Sequence, residues 1–245
     1  MPEPAYTPEE LMAVLISREV RDGERVGVGT LSPVVAAGCI LAHHTRAPGA
    51  QLFIWRFSEY WPFSEGMKEL FDAGQRGLLD LFFLGGAQID RRGNTNLVAI
   101  GDYARPKVRL PGGAGSATLS YTVPRIILFQ TNHSRRTFVE RVEFVTATNE
   151  PPPNVERRGK FTRCITPLGI LNFAAPEPVL EALAPGVTVA QVLENTGFPL
   201  VVAPDLVTEL VELALERGCQ VERVQDAPRR EQLRGVGALL RYLPA

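Results

Sequence analysis

The chain has 245 residues, 45% hydrophobic and 22% charged, a composition that excludes a disordered or fibrous protein. Lysine and arginine total 26 against 27 aspartates and glutamates, so the formal charge is −1 and no basic field is available for sequence-independent binding of nucleic acid. The three cysteines, Cys39, Cys164 and Cys219, spell neither a disulfide framework nor a C-x-x-C metal signature, and a reducing cytoplasm is the simplest compartment.

Met1-Pro2-Glu3-Pro4 lacks the basic-then-apolar opening of a signal peptide. The nearly uncharged stretch from Gly27 to Ala42 is too short and too rich in Gly, Ser and Pro to span a membrane. A first helix is signalled by Thr7 as cap, Pro8 at its first position and Glu10 completing a capping box. Arg25 to Val28 reads as a short strand, Ser32-Pro33 opens an Ala/Val-rich helix to about His43, and Gln51 to Trp55 reads as a buried strand. Ser64 to Ala73 is predicted helical. Leu79 to Leu84 is apolar almost throughout, as a central parallel strand covered on both faces would be. This alternation of strand and helix predicts a doubly wound α/β layer structure. Further on, Asp90 to Asn94 is a turn, and Gly112 to Gly115 is a flexible loop before a short helix and the strand Arg125 to Gln130. Val142 to Val145 reads as another strand, residues 149–160 as an exposed loop, and Phe161 to Thr166 and Leu168 to Phe173 as extended. Thr188 with Gln191 caps a short helix, and Asp205 is expected to cap a last helix ending at Gly218. The last residues form an irregular tail of a single domain spanning 1–245.

Two glycine-rich loops follow extended sequence, Gly85-Gly86 and Gly112-Gly113-Ala114-Gly115. In open α/β sheets ligands sit beyond the carboxyl ends of the strands, where glycines let backbone N–H groups approach a phosphate or a thioester oxyanion. Neither loop matches a dinucleotide or Walker pattern, and taken singly each is better explained as a tight turn. His43-His44 has no third ligand at metal spacing and reads as a helix end, His133 as part of a surface loop, and Cys39 as a small core residue. Arg135-Arg136 is a solvated charge pair within reach of phosphates, while Asn94 and Asn96 are turn formers. Trp55, Phe57, Tyr60 and Trp61 form an aromatic cluster that either buries a helix or walls a pocket.

The ordered series Gly85-Gly86-Ala87-Gln88-Ile89-Asp90, Gly93-Asn94-Thr95-Asn96, Ile100-Gly101-Asp102-Tyr103, Pro106-Lys107 and Gly112-Gly113-Ala114-Gly115 resembles the β subunit of the glutaconate CoA-transferases, class I CoA-transferases. Val28-Gly29-Thr30 and Ala47-Pro48 upstream, and Arg135-Arg136-Thr137-Phe138 and Leu193-Glu194-Asn195-Thr196-Gly197-Phe198 downstream, extend the resemblance over about residues 8 to 200. It implies a doubly wound, mostly parallel sheet of the class I CoA-transferase type, a homologous α-type subunit as partner, an active site at their junction and an acyl-CoA substrate. Coenzyme A enters only as part of that substrate, with no metal, separate cofactor, nucleic acid or membrane involved. By the same resemblance Gly115 N–H is the donor to the thioester oxygen, and Gly86, Ala87, Gln88, Gly112, Gly113 and Ala114 line the substrate site; the Gln88 amide either orients substrate or braces its loop.

The resemblance breaks at one place. The family's nucleophilic glutamate, in a Glu-Ser-Gly or Glu-Asn-Gly motif, aligns with Trp55 when counted from Ala47-Pro48, and neither motif occurs in the chain. An indole forms no acyl anhydride or thioester intermediate. Glu59 would need a register shift or bulge to replace it, since it sits about 13 Å further along an extended strand. Glu65 and Glu69 read as surface positions of a helix. The transferase-like methylglutaconyl-CoA decarboxylase subunit of isovaleryl-CoA synthesis is similar in lacking the motif, and points to a decarboxylase acting on 3-methylglutaconyl-CoA with Trp55 and Gly115 at its centre. A CoA-transferase with another carboxylate, a thioester hydrolase and a non-catalytic stabilising subunit are the alternatives.

Overall fold

The computed structural model describes residues 6–30 and 32–208. In chain order its elements are α1 (Pro8–Glu19), β1 (Arg25–Val28), α2 (Pro33–Thr45), β2 (Gln51–Ile54), a 3-10 turn (Ser58–Tyr60), α3 (Met67–Gln75), β3 (Leu81–Leu84), β4 (Gln88–Asp90), β5 (Thr95–Asn96), β6 (Ala99–Ile100), β7 (Val108–Arg109) and α4 (Ser116–Thr122). There follow β8 (Arg125–Phe129), β9 (Phe138–Val139), β10 (Lys160–Thr166), β11 (Gly169–Asn172), β12 (Val179–Leu183), α5 (Val189–Asn195) and β13 (Val201–Val207). An eight-stranded sheet of order β13-β12-β11-β10-β8-β3-β1-β2 forms the centre. From β2 through β1, β3 and β8 to β10 every pairing is parallel; β11 is antiparallel to both neighbours, and β13 runs parallel to β12. This is the mostly parallel α/β sheet the sequence implied.

The pleat divides the core. Leu81 and Phe83 of β3 and Ile127 and Phe129 of β8 join α1 and α2 on one face. Their neighbours Phe82, Leu84, Ile126 and Leu128 join Leu70 of α3, Leu119 of α4 and Val192 of α5 on the other. All four residues of β3 are buried because both faces are covered. Both predicted capping boxes form: Thr7 with Glu10 at α1 and Thr188 with Gln191 at α5.

Two predicted elements are corrected. Val142–Val145 is irregular rather than a strand, because side chains of β4 take its amides: Val142 N–H donates to Asp90 Oδ2 (3.3 Å) and Glu143 N–H to Gln88 Oε1 (3.2 Å). Asp205 does not cap a helix; it lies exposed within β13, between the residues of that strand that pair with β12, Val201 and Val202 on one side and Val207 on the other. The expected helix beyond it, the tail and Cys219 lie outside the described residues.

Candidate active site

The carboxyl ends of β1, β3 and β8 open on one side of the sheet, where the Gly112–Gly115 loop folds over them. Together they enclose a cavity of about 250 Å³. Gly29, Gly85, Gly86 and Gln130 come from the strand ends, Gly112 to Ser116 from the loop, and Phe71, Phe82 and Phe129 supply the apolar floor. Among the described residues, none that lines this cavity carries a carboxylate, an imidazole or a cationic group. A larger groove of about 500 Å³ lies around Asp90, Arg91 and Glu140, but much of its charge is spent internally, through Arg91 on Glu140 (3.0 Å) and Arg92 on Glu150 (2.5 Å).

The loop's shape is built by close approach. Ala114 is in the left-handed region (φ 43°), and Gly112 has φ 100°. A Cβ on Gly115 would overlap Phe71 Cε1, and one on Gly113 would overlap the Thr146 methyl. Gly115 precedes α4 at its N-cap, and Gln130 Nε2 donates to Gly86 O (2.5 Å) to hold the opposite wall.

The expected site residues fall into two groups. Gly86, Gly112, Gly113, Ala114 and Gly115 line the cavity. Ala87 and Gln88 stand behind it: Ala87 N–H donates to Asn96 O (2.8 Å), and the buried Gln88 amide is engaged by Asn96 and Glu143. Trp55 follows β2 at the same edge of the sheet, its N–H on Val28 O (3.2 Å), without being part of the cavity lining. Its ring meets Trp61 edge-on at 4.9 Å, and Trp61 meets Phe63 at 5.0 Å. Phe57 and Tyr60 pack instead against the α1/α2 face, so the expected single aromatic cluster is two, one on each side of the sheet. Glu59 is exposed in the 3-10 turn, and neither it nor Glu65 nor Glu69 reaches the cavity.

His133 is not in a surface loop as expected. It is buried, with Nδ1 2.9 Å from Thr166 Oγ1 and Nε2 3.0 Å from Thr196 Oγ1, and desolvation lowers its pKa to about 4. The sequence missed this because the two threonines are distant in the chain. Cys39 and Cys164 are free, and burial raises both thiols well above their usual range. Glu143, which sequence reasoning passed over, is held below the ordinary carboxylate range by hydrogen bonds from the Gln88 amide and then from Gly101 N–H. No group of three or more metal-ligating side chains is assembled among the described residues, and none of their helices is long and apolar enough to cross a membrane.

A backbone-lined cavity at the carboxyl edge of a parallel sheet is where open α/β sheets hold ligands, and main-chain amides there suit an oxyanion. Residues 58–195 match the family model described as Coenzyme A transferase. The chain is 34% identical to the B-type subunit of 3-oxoadipate CoA-transferase from Pseudomonas knackmussii, over 80% of this chain and 85% of that one. It is 30% identical to the B-type subunit of glutaconate CoA-transferase from Acidaminococcus fermentans, over 80% and 84%. Among solved structures, the decarboxylase AibA/AibB superposes with a TM-score of 0.71 at 29% identity, covering 82% of this chain and 88% of that one. The chain belongs to the coenzyme A transferase family, on the side of its B-type subunits.

Proposed function

We propose that this chain is the β-type subunit of a two-subunit acyl-CoA decarboxylase converting 3-methylglutaconyl-CoA to 3,3-dimethylacrylyl-CoA. The observation that carries this reading is a cavity without a carboxylate, beside a tryptophan where the resemblance aligns the family's nucleophile. Likeness to AibA/AibB supports it.

Decarboxylation needs no covalent nucleophile. The bond between the γ-carbon and the carboxylate breaks and CO₂ leaves. The electron pair spreads through the double bond onto the thioester oxygen as a dienolate, and a proton then returns to the terminal carbon. Gly115 N–H is the donor to that oxygen, a contribution of roughly 3 kcal/mol for a well-aimed oxyanion donor. Gly86, Gly112, Gly113 and Ala114 form the backbone wall around the thioester, the apolar Phe71, Phe82 and Phe129 leave the departing carboxylate poorly solvated, and Trp55, outside the lining, adds an apolar rim at the same edge of the sheet. The homologous α-type subunit completes the site, and because the lining of this chain's cavity carries no acid, the proton comes from that subunit or from solvent. Buried, free Cys39 and Cys164 agree with a cytoplasmic setting.

A second reading, CoA transfer, is favoured by the 34% identity to a 3-oxoadipate CoA-transferase chain. The test mixes the purified two-subunit complex with 3-methylglutaconyl-CoA and follows CO₂ and the thioester product. Release of CO₂ with no trappable thioester on this chain is expected, and Trp55→Glu should slow it. Movement of CoA onto free acetate or glutaconate without CO₂ would replace this reading by transfer. Gly115→Ala is unsuited as a probe, since its methyl group would strike Phe71 before any catalytic effect appeared.

A further inference from the structure

Two walls of the cavity, Gly85-Gly86 and Gly112–Gly115, are far apart in sequence, and their glycines carry no side chains of their own with which to fix the spacing between them. A polar network behind them does so. Its hub is Gln88, 5% exposed. Gln88 Oε1 accepts from Asn96 Nδ2 (2.8 Å) and Glu143 N–H (3.2 Å), while Nε2 donates to Glu143 Oε1 (2.9 Å). Asn96, fully buried, shapes the following turn by accepting from Val98 N–H (3.0 Å) and donating to Ala99 O (2.7 Å). That turn carries Leu97, whose carbonyl accepts Gly112 N–H (2.8 Å). The second carboxylate oxygen of Glu143 accepts Gly101 N–H, where β6 enters the turn of the β6–β7 hairpin that leads into the loop. Three residues on from Glu143, Thr146 Oγ1 accepts Leu97 N–H (2.9 Å) and its methyl group packs on Gly113.

We propose that Gln88 and Glu143 are a positioning pair that sets the distance between the two glycine walls, and so aims the Gly112–Gly115 backbone at the reacting thioester. Neither residue touches substrate. The pair requires one carboxamide and one carboxylate, because Gln88 both donates and accepts while both Glu143 oxygens accept. The catalytic consequence rests on the function proposed above, whereas the brace itself does not.

This chemistry predicts a rescue. Glu143→Gln turns a donor toward a donor, and Gln88→Glu sets two carboxylates face to face. The double swap, Gln88→Glu with Glu143→Gln, restores each hydrogen bond with the roles exchanged. All three variants are prepared in the two-subunit complex and read by peptide-resolved hydrogen exchange and steady-state kinetics. Each single variant should speed exchange of residues 110–117 on the order of tenfold with β3 and β8 still protected. It should lower kcat by up to about 100-fold at little change in KM. The swap should return both readouts toward wild type. Unchanged exchange in 110–117, equal loosening of the whole sheet, or a folded swap that restores nothing would each overturn the pair. If the wild-type complex releases no CO₂, the proposed reaction falls while the exchange measurement still decides the brace.

Discussion

At the scale of single residues, His133 lies inside the core as a neutral imidazole, which gives one hydrogen bond and takes one, and two threonine hydroxyls meet its ring nitrogens. Its folded pKa of about 4 lies below the ordinary 6.5, so the unfolded chain binds the proton first as pH falls. Its contribution is therefore complete above pH 6.5 and is lost as pH drops toward 4, on the order of 3 kcal/mol over that window. Urea unfolding followed between pH 4 and 7 should show this slope, and His133→Gln should flatten it; an equal slope in the variant would show that other groups titrate there. Trp55 makes the complementary point. Its ring rests on Trp61 and beside Gly66 at the start of α3, and an indole at that edge of the sheet offers an apolar face and no nucleophile.

At the scale of elements, the fold depends on how closely helices approach each other and the sheet. α1 and α2 pack side by side on one face, and Gly38 of α2 sits against α1. A Cβ there would lie 2.6 Å from Ile16 Cγ2 and 2.7 Å from the Ala13 carbonyl oxygen, a backbone atom that cannot swing aside. Alanine is the better helix former by about 1 kcal/mol, yet overpacking costs about 1–3 kcal/mol, so Gly38→Ala should destabilise the protein. The denaturant midpoint measures it, and a variant as stable as wild type would mean that the two helices stand further apart than this. On the opposite face, Phe71 of α3 presses on Gly115, which couples the position of a helix to the shape of the cavity loop.

At the scale of the whole molecule, the chain presents an open-sided cavity and several exposed apolar side chains. Tyr103, Val108, Val145 and Val201 are each at least half exposed. The proposed α-type partner completes the catalytic site, so the chain expressed alone should be inactive or aggregate, and co-expression with that partner should yield a stable, active complex. Size-exclusion chromatography with a turnover assay tests this; an active, monodisperse monomer would refute it.

Much of this architecture was legible from local signals. Both capping boxes, the four-residue buried run of β3 and the two glycine loops announce themselves over a few residues, because capping, periodicity and turn chemistry are short-range interactions. Long-range pairing decided the rest. Val142–Val145 has strand-like composition but lost its ladder to side chains of β4, and Asp205 has a capping residue's chemistry but lies in β13, which β12 pairs on either side of it. Gln88 reads equally as a substrate ligand or a brace from its own loop, and its hydrogen bond to Glu143, 55 residues away, is visible only in the fold. A hydrogen-bonding side chain takes its role from whichever partner the fold brings within about 3 Å, and no local sequence pattern specifies a partner that arrives from another loop.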